Sequence, residues 1–141
     1  MPPIATFKQP WQVRFVDTDA SGFAHFSSYV KMMEETEYAF LRSRGLSVVL
    51  HDQRGILGFP RLSASMKIHQ PLRFEQQVEV RLSLSEIDGK QIVYDFEMIT
   101  DDKVAAVTGT FVVAFCRFPV SDPPYAVLIP ADVEAALTAL K

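Results

Sequence analysis

The feature that most constrains the fold of this chain is a change in the spacing of its apolar residues. Between Ser28 and Arg44 apolar side chains recur at helical intervals, which predicts one long amphipathic helix. From residue 63 onward the interval drops to two, which is typical of strands that bury one face. A single long helix must therefore cover a sheet of several strands, and the economical arrangement packs it against the concave face of that sheet.

The strands can be placed from this alternation and from the turns between them. Five segments predict the strands of one antiparallel sheet: Trp11–Val16, 63–69, Val78–Leu84, Ile92–Met98 and Val107–Phe118. The pair Asp88-Gly89 is a strong hairpin signal between the third and fourth of these. Residues 46–60 show no regular pattern, and Pro130 suits the first turn of a short C-terminal helix. The sequence thus predicts an α+β fold in a single domain, residues 1–141.

Size, charge and cysteine content exclude several classes of protein. A chain of 141 residues predicts one domain, and a net charge of -3 without a basic block argues against nucleic acid as a partner. The single cysteine, Cys116, excludes an internal disulfide and fits a reducing cytoplasm. The start of the chain lacks the pattern of a signal peptide, and no apolar run approaches the ~18 residues of a membrane span. We therefore expect a cytoplasmic protein that binds neither nucleic acid nor membrane.

Two carboxylates lie in the bend that leads into the predicted helix. Residues 17–22 read DTDASG, so two acids alternate and a small-residue turn follows them. Asp19 is a candidate catalytic group, because a carboxylate at the end of a packed element can face a pocket, although Asp also commonly caps a bend. Asp17 is interpreted as structural, bonding backbone N–H groups of the loop. Gly22 is expected to serve a backbone conformation or a close approach to ligand.

Several of these residues also form the pattern of a known family. The run Val13–Gly22 is followed by Tyr29 seven residues after the glycine, by Glu34 on the helix and by Gly45-Leu46 at its end. With this pattern the chain resembles the hotdog-fold thioesterases, in the branch of the 4-hydroxybenzoyl-CoA thioesterase and YbgC-like proteins. The resemblance extends over most of the chain. It implies a long central helix wrapped by a five-stranded antiparallel sheet, in an oligomeric protein.

The resemblance also implies an activity, the hydrolysis of acyl-CoA thioesters without a metal or another cofactor. It places the catalytic aspartate at Asp19, and it points to the backbone N–H of Phe26 as the group that polarises the carbonyl. The chemistry requires both groups, because a carboxylate must attack the thioester or activate water while negative charge develops on the oxygen. A helix that begins near residues 26–28 supplies free N–H groups and a favourable dipole at that place.

The expected substrate contacts are Gly22, His25, Tyr29, Met33, Phe59, Ser65 and Lys90. The apolar members of this set are expected to hold an aromatic or a short- to medium-chain acyl group. His25 either lines the pocket or positions water there, or it is a polar residue that simply faces solvent. The strand face of Ser65 is better explained as solvated or facing a subunit, with Ser65 as a candidate contact to the thioester from the neighbouring subunit. Lys90 lies near the place where relatives hold CoA phosphates, or it is simply solvated.

Two further acids lie on the predicted helix. Glu34 is at the edge of the apolar arc and matches an acid common in the resembled family, so we expect it to support the loop or the active site by hydrogen bonding. Glu37 falls inside the apolar arc, where a charge needs a partner or a function. We interpret Glu37 as a paired interface residue.

The predicted architecture leaves apolar surface and an edge strand uncovered, so self-association is expected. The resemblance implies an active site between the subunits of a homodimer or homotetramer. Two other functions stay open at this point. One is an acyl-CoA-binding hotdog protein without turnover. The other is an enoyl-thioester dehydratase, for which His25 beside the acidic loop is the relevant sequence feature.

Overall fold

An antiparallel sheet wraps around one long helix in the computed structural model, which describes residues 2–139. Helix α1 spans Phe26–Ser43, and helix α2 spans Ala131–Thr138. The strands are β1 (Ala5–Gln12), β2 (Val49–Asp52), β3 (Gly55–Gly58), β4 (Arg61–Ile68), β5 (Gln77–Asp88), β6 (Gln91–Thr100), β7 (Ala105–Ala114), β8 (Cys116–Phe118) and β9 (Tyr125–Ala126). The main sheet has the antiparallel order β1-β5-β6-β7-β4. The predicted α+β fold, with five antiparallel strands around a central helix, is confirmed.

The core lies between α1 and the inner face of the main sheet. Alternate residues of β5 and β6 face it, as their spacing predicted: Val78, Val80, Leu82, Leu84, Ile92, Tyr94, Phe96 and Met98. The helix contributes five fully buried apolar side chains: Tyr29, Met32, Met33, Phe40 and Leu41. The ring of Phe40 meets those of Phe7 and Tyr94 at 5.9 and 6.0 Å. Each such side chain contributes roughly 1.5–3 kcal/mol on burial, so this layer fixes the helix on the sheet.

The first strand lies earlier than the sequence predicted. A short 3-10 turn at Phe15–Asp17 takes the place of the second half of the expected strand Trp11–Val16. The turn closes because the Arg14 amide donates to the Asp17 carboxylate at 2.9 Å. Residues 15 and 16 suggested a strand because they are apolar, yet they are 80% and 76% exposed. Apolar character alone was therefore misleading in this segment.

A second, smaller sheet departs from the sequence prediction. Residues 46–60 were expected to be irregular, but they contain the hairpin β2–β3, and the sheet order is β2-β3-β8-β9. The predicted last strand Val107–Phe118 is interrupted at Phe115, so that its end forms β8 in this second sheet. Arg117 on β8 donates to both carboxylate oxygens of Asp52 on β2, at 3.0 and 2.7 Å. This bidentate pair ties two non-adjacent strands of the small sheet together.

The C-terminal region agrees with its prediction. Pro130 directly precedes α2, and Val133 and Leu137 of that helix are buried. Among residues 2–139 no helix is both long enough and apolar enough to cross a membrane.

A buried ion pair connects α1 to the edge strand β4. The Glu37 side chain is 1% exposed and is paired with Arg61, whose guanidinium also lies 3.4 Å from Glu34 and over the rings of Tyr38 and Phe111. Glu37 is thus paired, as expected, but with a residue of its own chain in the core. Burial raises the pKa of Glu37 to about 7, because desolvation of the carboxylate outweighs the attraction of Arg61.

The raised pKa of Glu37 predicts a specific dependence of stability on pH. Between about 4.5 and about 7, native Glu37 keeps a proton that the unfolded chain releases, so its contribution to stability falls as the pH rises. Glu37→Gln removes this titration, and the free energy of unfolding of the variant should fall less than that of the wild type over this range. Urea unfolding at a series of pH values measures the difference, with Glu86→Gln at an exposed strand position as the control. Equal slopes for wild type and Glu37→Gln would contradict the prediction.

Candidate active site

The loop between the 3-10 turn and α1 is a tight bend closed by backbone hydrogen bonds. The Asp19 amide donates to the Phe23 carbonyl at 3.1 Å, and the Gly22 amide donates to the Asp19 carbonyl at 3.0 Å. Gly22 has a φ of +83°, and a Cβ built there would meet no heavy atom within 4 Å. The glycine is therefore required by the left-handed backbone conformation and not by a lack of space.

Asp17 anchors this bend from the buried side. Its carboxylate accepts the Arg14 amide, and its carbonyl accepts both the His25 amide and the Ser28 hydroxyl at 2.7 Å. The side chain is 6% exposed, and Arg14 Nε lies 3.5 Å from Asp17 Oδ2. Asp17 thus joins the 3-10 turn to the first turn of α1, which is a structural task.

Asp19, two residues later, is exposed and differently bonded. Its Oδ1 accepts both the amide and the hydroxyl of Ser21, at 2.8 and 2.5 Å. Among residues 2–139 none donates a hydrogen bond to Oδ2, so this oxygen is free to meet a substrate or water. The Ser21 hydroxyl, then the Ser21 amide, and to a smaller extent His25 lower the pKa of Asp19, so the carboxylate is ionised at neutral pH.

Helix α1 begins at Phe26, within the range predicted for its start, and its N-cap is His25. His25 Nδ1 accepts the Ser27 amide at 3.2 Å and lies 2.8 Å from the Ser27 hydroxyl, so the imidazole takes the place of a usual capping side chain. Within the described part of the chain the Phe26 amide has no acceptor. A free N–H at the positive end of the helix dipole can bind a developing oxyanion.

Asp19 lines a shallow cavity of about 600 Å³ together with Phe15, Thr18, Ala20, Gly22 and Phe74. The two aromatic rings of this cavity, at positions 15 and 74, meet edge to face with centroids 6.2 Å apart. Sequence reasoning missed both as site residues. Position 15 lies within the family pattern, which was a usable signal, whereas position 74 lies far along the chain and gave none.

Three predicted substrate contacts lie elsewhere, in the core. Tyr29 and Met33 are fully buried, and Phe59 is 5% exposed and packs against the Phe115 ring at 5.1 Å. The Tyr29 hydroxyl accepts the Leu72 amide at 3.1 Å. Within the single chain none of the three lines the cavity beside Asp19. Helical periodicity correctly placed Tyr29 and Met33 on the apolar face, and that face is used to bury the helix.

Met33 reaches the sheet through a gap in the side chains of β7. A Cβ built on Gly109 would lie 2.5 Å from Met33 Cε and 2.9 Å from the Ser65 carbonyl oxygen. The missing side chain at position 109 therefore lets the helix approach the sheet closely.

Ser65 and Lys90 also lie apart from Asp19 within one chain. Ser65 on β4 pairs with Thr110 on β7. Both residues lie on the outer face of the main sheet, opposite the face that α1 covers. Lys90 lies in the β5–β6 turn, whereas the Asp19 loop lies near the start of β5, where Phe74 bonds to Gly22. A strand of this length spans roughly 35 Å, so the two ends of the sheet are far apart.

Glu34 does not contact the loop that it was expected to support. Its carboxylate lies 3.4 Å from Arg61 on β4, on the flank of the buried ion pair. Among the described residues, no group of three or more His, Cys, Asp or Glu side chains is placed to hold a metal ion.

Fold and motif together correspond to a known family. A profile of the thioesterase-like superfamily matches residues 13–137, which is most of the chain. The chain belongs to this superfamily. The resemblance to the hotdog-fold thioesterases is confirmed, and the protein is placed among the thioester hydrolases.

Individual relatives agree with this membership. A protein of Aquifex aeolicus (strain VF5) named "Putative esterase" is 30% identical over 99 residues, covering 70% of this chain and 77% of the relative. The structure of a gentisyl-coenzyme A thioesterase has a TM-score of 0.78 at 25% identity, covering 93% of this chain and 99% of the other. A 1,4-dihydroxy-2-naphthoyl-CoA thioesterase from Synechocystis has a TM-score of 0.82 at 19% identity, covering 96% and 98%, and shares the fold.

The bonding of Asp19 generates a prediction that does not depend on activity. Ser21→Ala removes the hydroxyl that is the main cause of the lowered pKa, so the Asp19 pKa should rise toward the ordinary value of 3.8. An NMR titration of the Asp19 side-chain carboxyl carbon measures this shift. Ser85→Ala, which removes a hydroxyl bonded to the Val93 carbonyl on the main sheet, is the matched control. An unchanged titration in Ser21→Ala would show that the hydroxyl does not hold the carboxylate.

Proposed function

We propose that the protein hydrolyses an acyl-CoA thioester, with Asp19 as nucleophile or general base and the Phe26 amide polarising the carbonyl. The observation that supports this most is the bonding of Asp19, where Ser21 fixes one carboxylate oxygen and the other receives no donor from the described residues. The similarity to a gentisyl-coenzyme A thioesterase supports coenzyme A as the carrier. The proposed acyl group is aromatic or short to medium in length, and coenzyme A takes part as substrate with no metal or other cofactor.

Both catalytic routes start from ionised Asp19 and regenerate it. As a general base, Asp19 takes a proton from water while the water oxygen adds to the thioester carbon. As a nucleophile, its free oxygen adds to that carbon, and water then cleaves the resulting anhydride. In both routes the carbonyl π electrons move to the oxygen, where the Phe26 N–H stabilises them, and return as the carbon–sulfur bond breaks. The coenzyme A thiolate leaves and takes up the proton, so thioester and water yield free acid and thiol.

The central test is the loss of activity on neutralising Asp19. Asp19→Asn keeps the size of the side chain and removes its charge, so we expect kcat to fall about a hundredfold or more. Release of free thiol from a panel of aromatic, short-chain and longer acyl-CoA esters measures the rate. Asp122→Asn, at an exposed position of the segment before β9, should retain full activity.

Several outcomes of this assay would contradict the proposal. Equal activity in wild type and Asp19→Asn excludes Asp19 as the catalytic group. Binding of the esters without release of thiol indicates an acyl-CoA-binding protein, and addition of water to crotonyl-CoA indicates a dehydratase. Thermal unfolding of both variants checks that the compared proteins are folded.

We also propose that two copies pair along β4, as a homodimer or as two such pairs in a homotetramer. Both β1 and β4 are edges of the main sheet. The outward positions of β1 include Lys8 and Pro10, which discourage pairing with another strand. The strand β4 exposes Leu62 and Ile68 by 56% and 41%, so it is the edge that a second copy would cover.

A two-fold pair of this kind would complete the candidate site. A two-fold axis perpendicular to the sheet beside the middle of β4 makes the strands of the two copies run in opposite directions. The β5–β6 turn of the second copy then lies at the same end of the joined sheet as Asp19 of the first copy. Lys90 of the second copy would then lie at the same end as Asp19 of the first copy, where it can contact the CoA part of the substrate. Pairing thus supports the predicted role of Lys90, which a single chain does not allow.

The proposed interface predicts the effect of charge on β4. Leu62→Lys combined with Ile68→Lys introduces repelling charges across the two-fold axis and should shift the protein to monomers. Light scattering coupled to size-exclusion chromatography measures the mass in solution. Val120→Lys, at a fully exposed residue outside both sheets, should leave the mass unchanged. A wild-type monomer at micromolar concentration would contradict the pairing.

A further inference from the structure

Two aromatic side chains beside Asp19 are exposed and touch each other. Phe15 is 80% exposed and Phe74 is 47% exposed, and their rings meet nearly at right angles, at 84°. Both line the cavity that contains the Asp19 side chain. Large apolar side chains clustered on a surface are costly to solvate, and such clusters mark places where something binds.

The position of Phe74 is held by the loop that carries Asp19. The Phe74 amide donates to the Gly22 carbonyl at 3.2 Å, and the next amide, of Glu75, donates to the Val13 carbonyl at 2.8 Å. Glu75 has a φ of +68°, in the left-handed region that a non-glycine residue seldom adopts. Strained backbone of this kind persists where the surrounding structure over-determines it, and it is concentrated at functional sites. The turn therefore presents the Phe74 ring to the cavity, where it stays outside the core.

We propose that Phe15 and Phe74 form the wall against which the acyl group lies, and that this wall selects a planar aromatic ring over a saturated ring of equal size. The inference rests on the proposed thioester hydrolysis at Asp19. In an aroyl thioester, such as benzoyl-CoA, the ring is bonded directly to the carbonyl carbon, so a carbonyl placed at Asp19 brings the ring into this same cavity. The wall offers the edge of one ring and the face of another, which are the two contacts that a third aromatic ring prefers.

The experiment compares benzoyl-CoA with cyclohexanecarbonyl-CoA, whose rings have equal carbon number and differ in planarity and π electrons. The measured quantity is the ratio of kcat/KM values for the two esters, in wild type and in variants. Comparing ratios between proteins cancels the different intrinsic reactivity of the two thioesters. Phe15→Leu and Phe74→Leu keep apolar bulk and remove the ring, and each should lower the preference for benzoyl-CoA by about two- to tenfold.

Two controls separate a ring contact from a general loss of surface. Phe74→Tyr keeps the ring and should keep the wild-type ratio. Tyr125→Leu removes an aromatic ring on β9 that is 47% exposed, as Phe74 is, and it should leave the ratio unchanged.

The results distinguish a failure of the aromatic wall from a failure of the proposed thioester hydrolysis on which it rests. If the wild type hydrolyses neither ester nor any other ester of the panel, the proposed function fails and the wall fails with it. If the wild type is active and both leucine variants keep the wild-type ratio, the aromatic wall alone is overturned. Equal losses for both esters would also overturn it, because they would show an apolar surface without selection for aromatic rings.

Discussion

Helix α1 and the main sheet each have one apolar face, and each of these faces is buried by the other. Tyr29 and Met33, near the start of the helix, are fully buried in this contact, and the Tyr29 hydroxyl also accepts the Leu72 amide of the segment after β4. The start of the helix therefore has little freedom to move. The free amide of Phe26 and the bend that contains Asp19 take their positions from hydrophobic packing a few residues away.

Local patterns predicted the elements whose burial is set by their own neighbours in sequence. The alternation in β5 and β6 and the turn at Asp88-Gly89 are confirmed, and Gly89 has a φ of +59°, which tight hairpin turns favour. The strand expected over Trp11–Val16 was wrong beyond Gln12, because the sequence does not reveal that Phe15 and Val16 face outward. The role of Asp17 followed from its place in the bend, and its bonding in the structure is of the expected kind.

The candidate site was less accessible to sequence reasoning than the fold. Periodicity correctly placed Tyr29 and Met33 on the apolar face, but a side chain that fills the core cannot also line an open cavity. The sequence around Phe74 gives no signal, because the position of Phe74 depends on two hydrogen bonds to a distant part of the chain. The Phe74 amide donates to Gly22, and the Glu75 amide donates to Val13. In the proposed pair of chains, the contact made by Lys90 would likewise come from a distant segment, in the second copy. Periodicity and motif spacing concern residues that are close in sequence, so they do not predict contacts between distant segments of a site.

The Ser21 contact that orients Asp19 also weakens it as a base. Two donors on one carboxylate oxygen stabilise the anion, and a more stable anion has less affinity for the proton of water. The same two hydrogen bonds therefore fix the orientation of the Asp19 carboxylate and reduce its basicity. In the proposed mechanism, much of the lowering of the barrier would then come from the Phe26 amide at the start of α1. If the protein works as proposed, the start of α1 would contribute more to the rate than the basicity of Asp19.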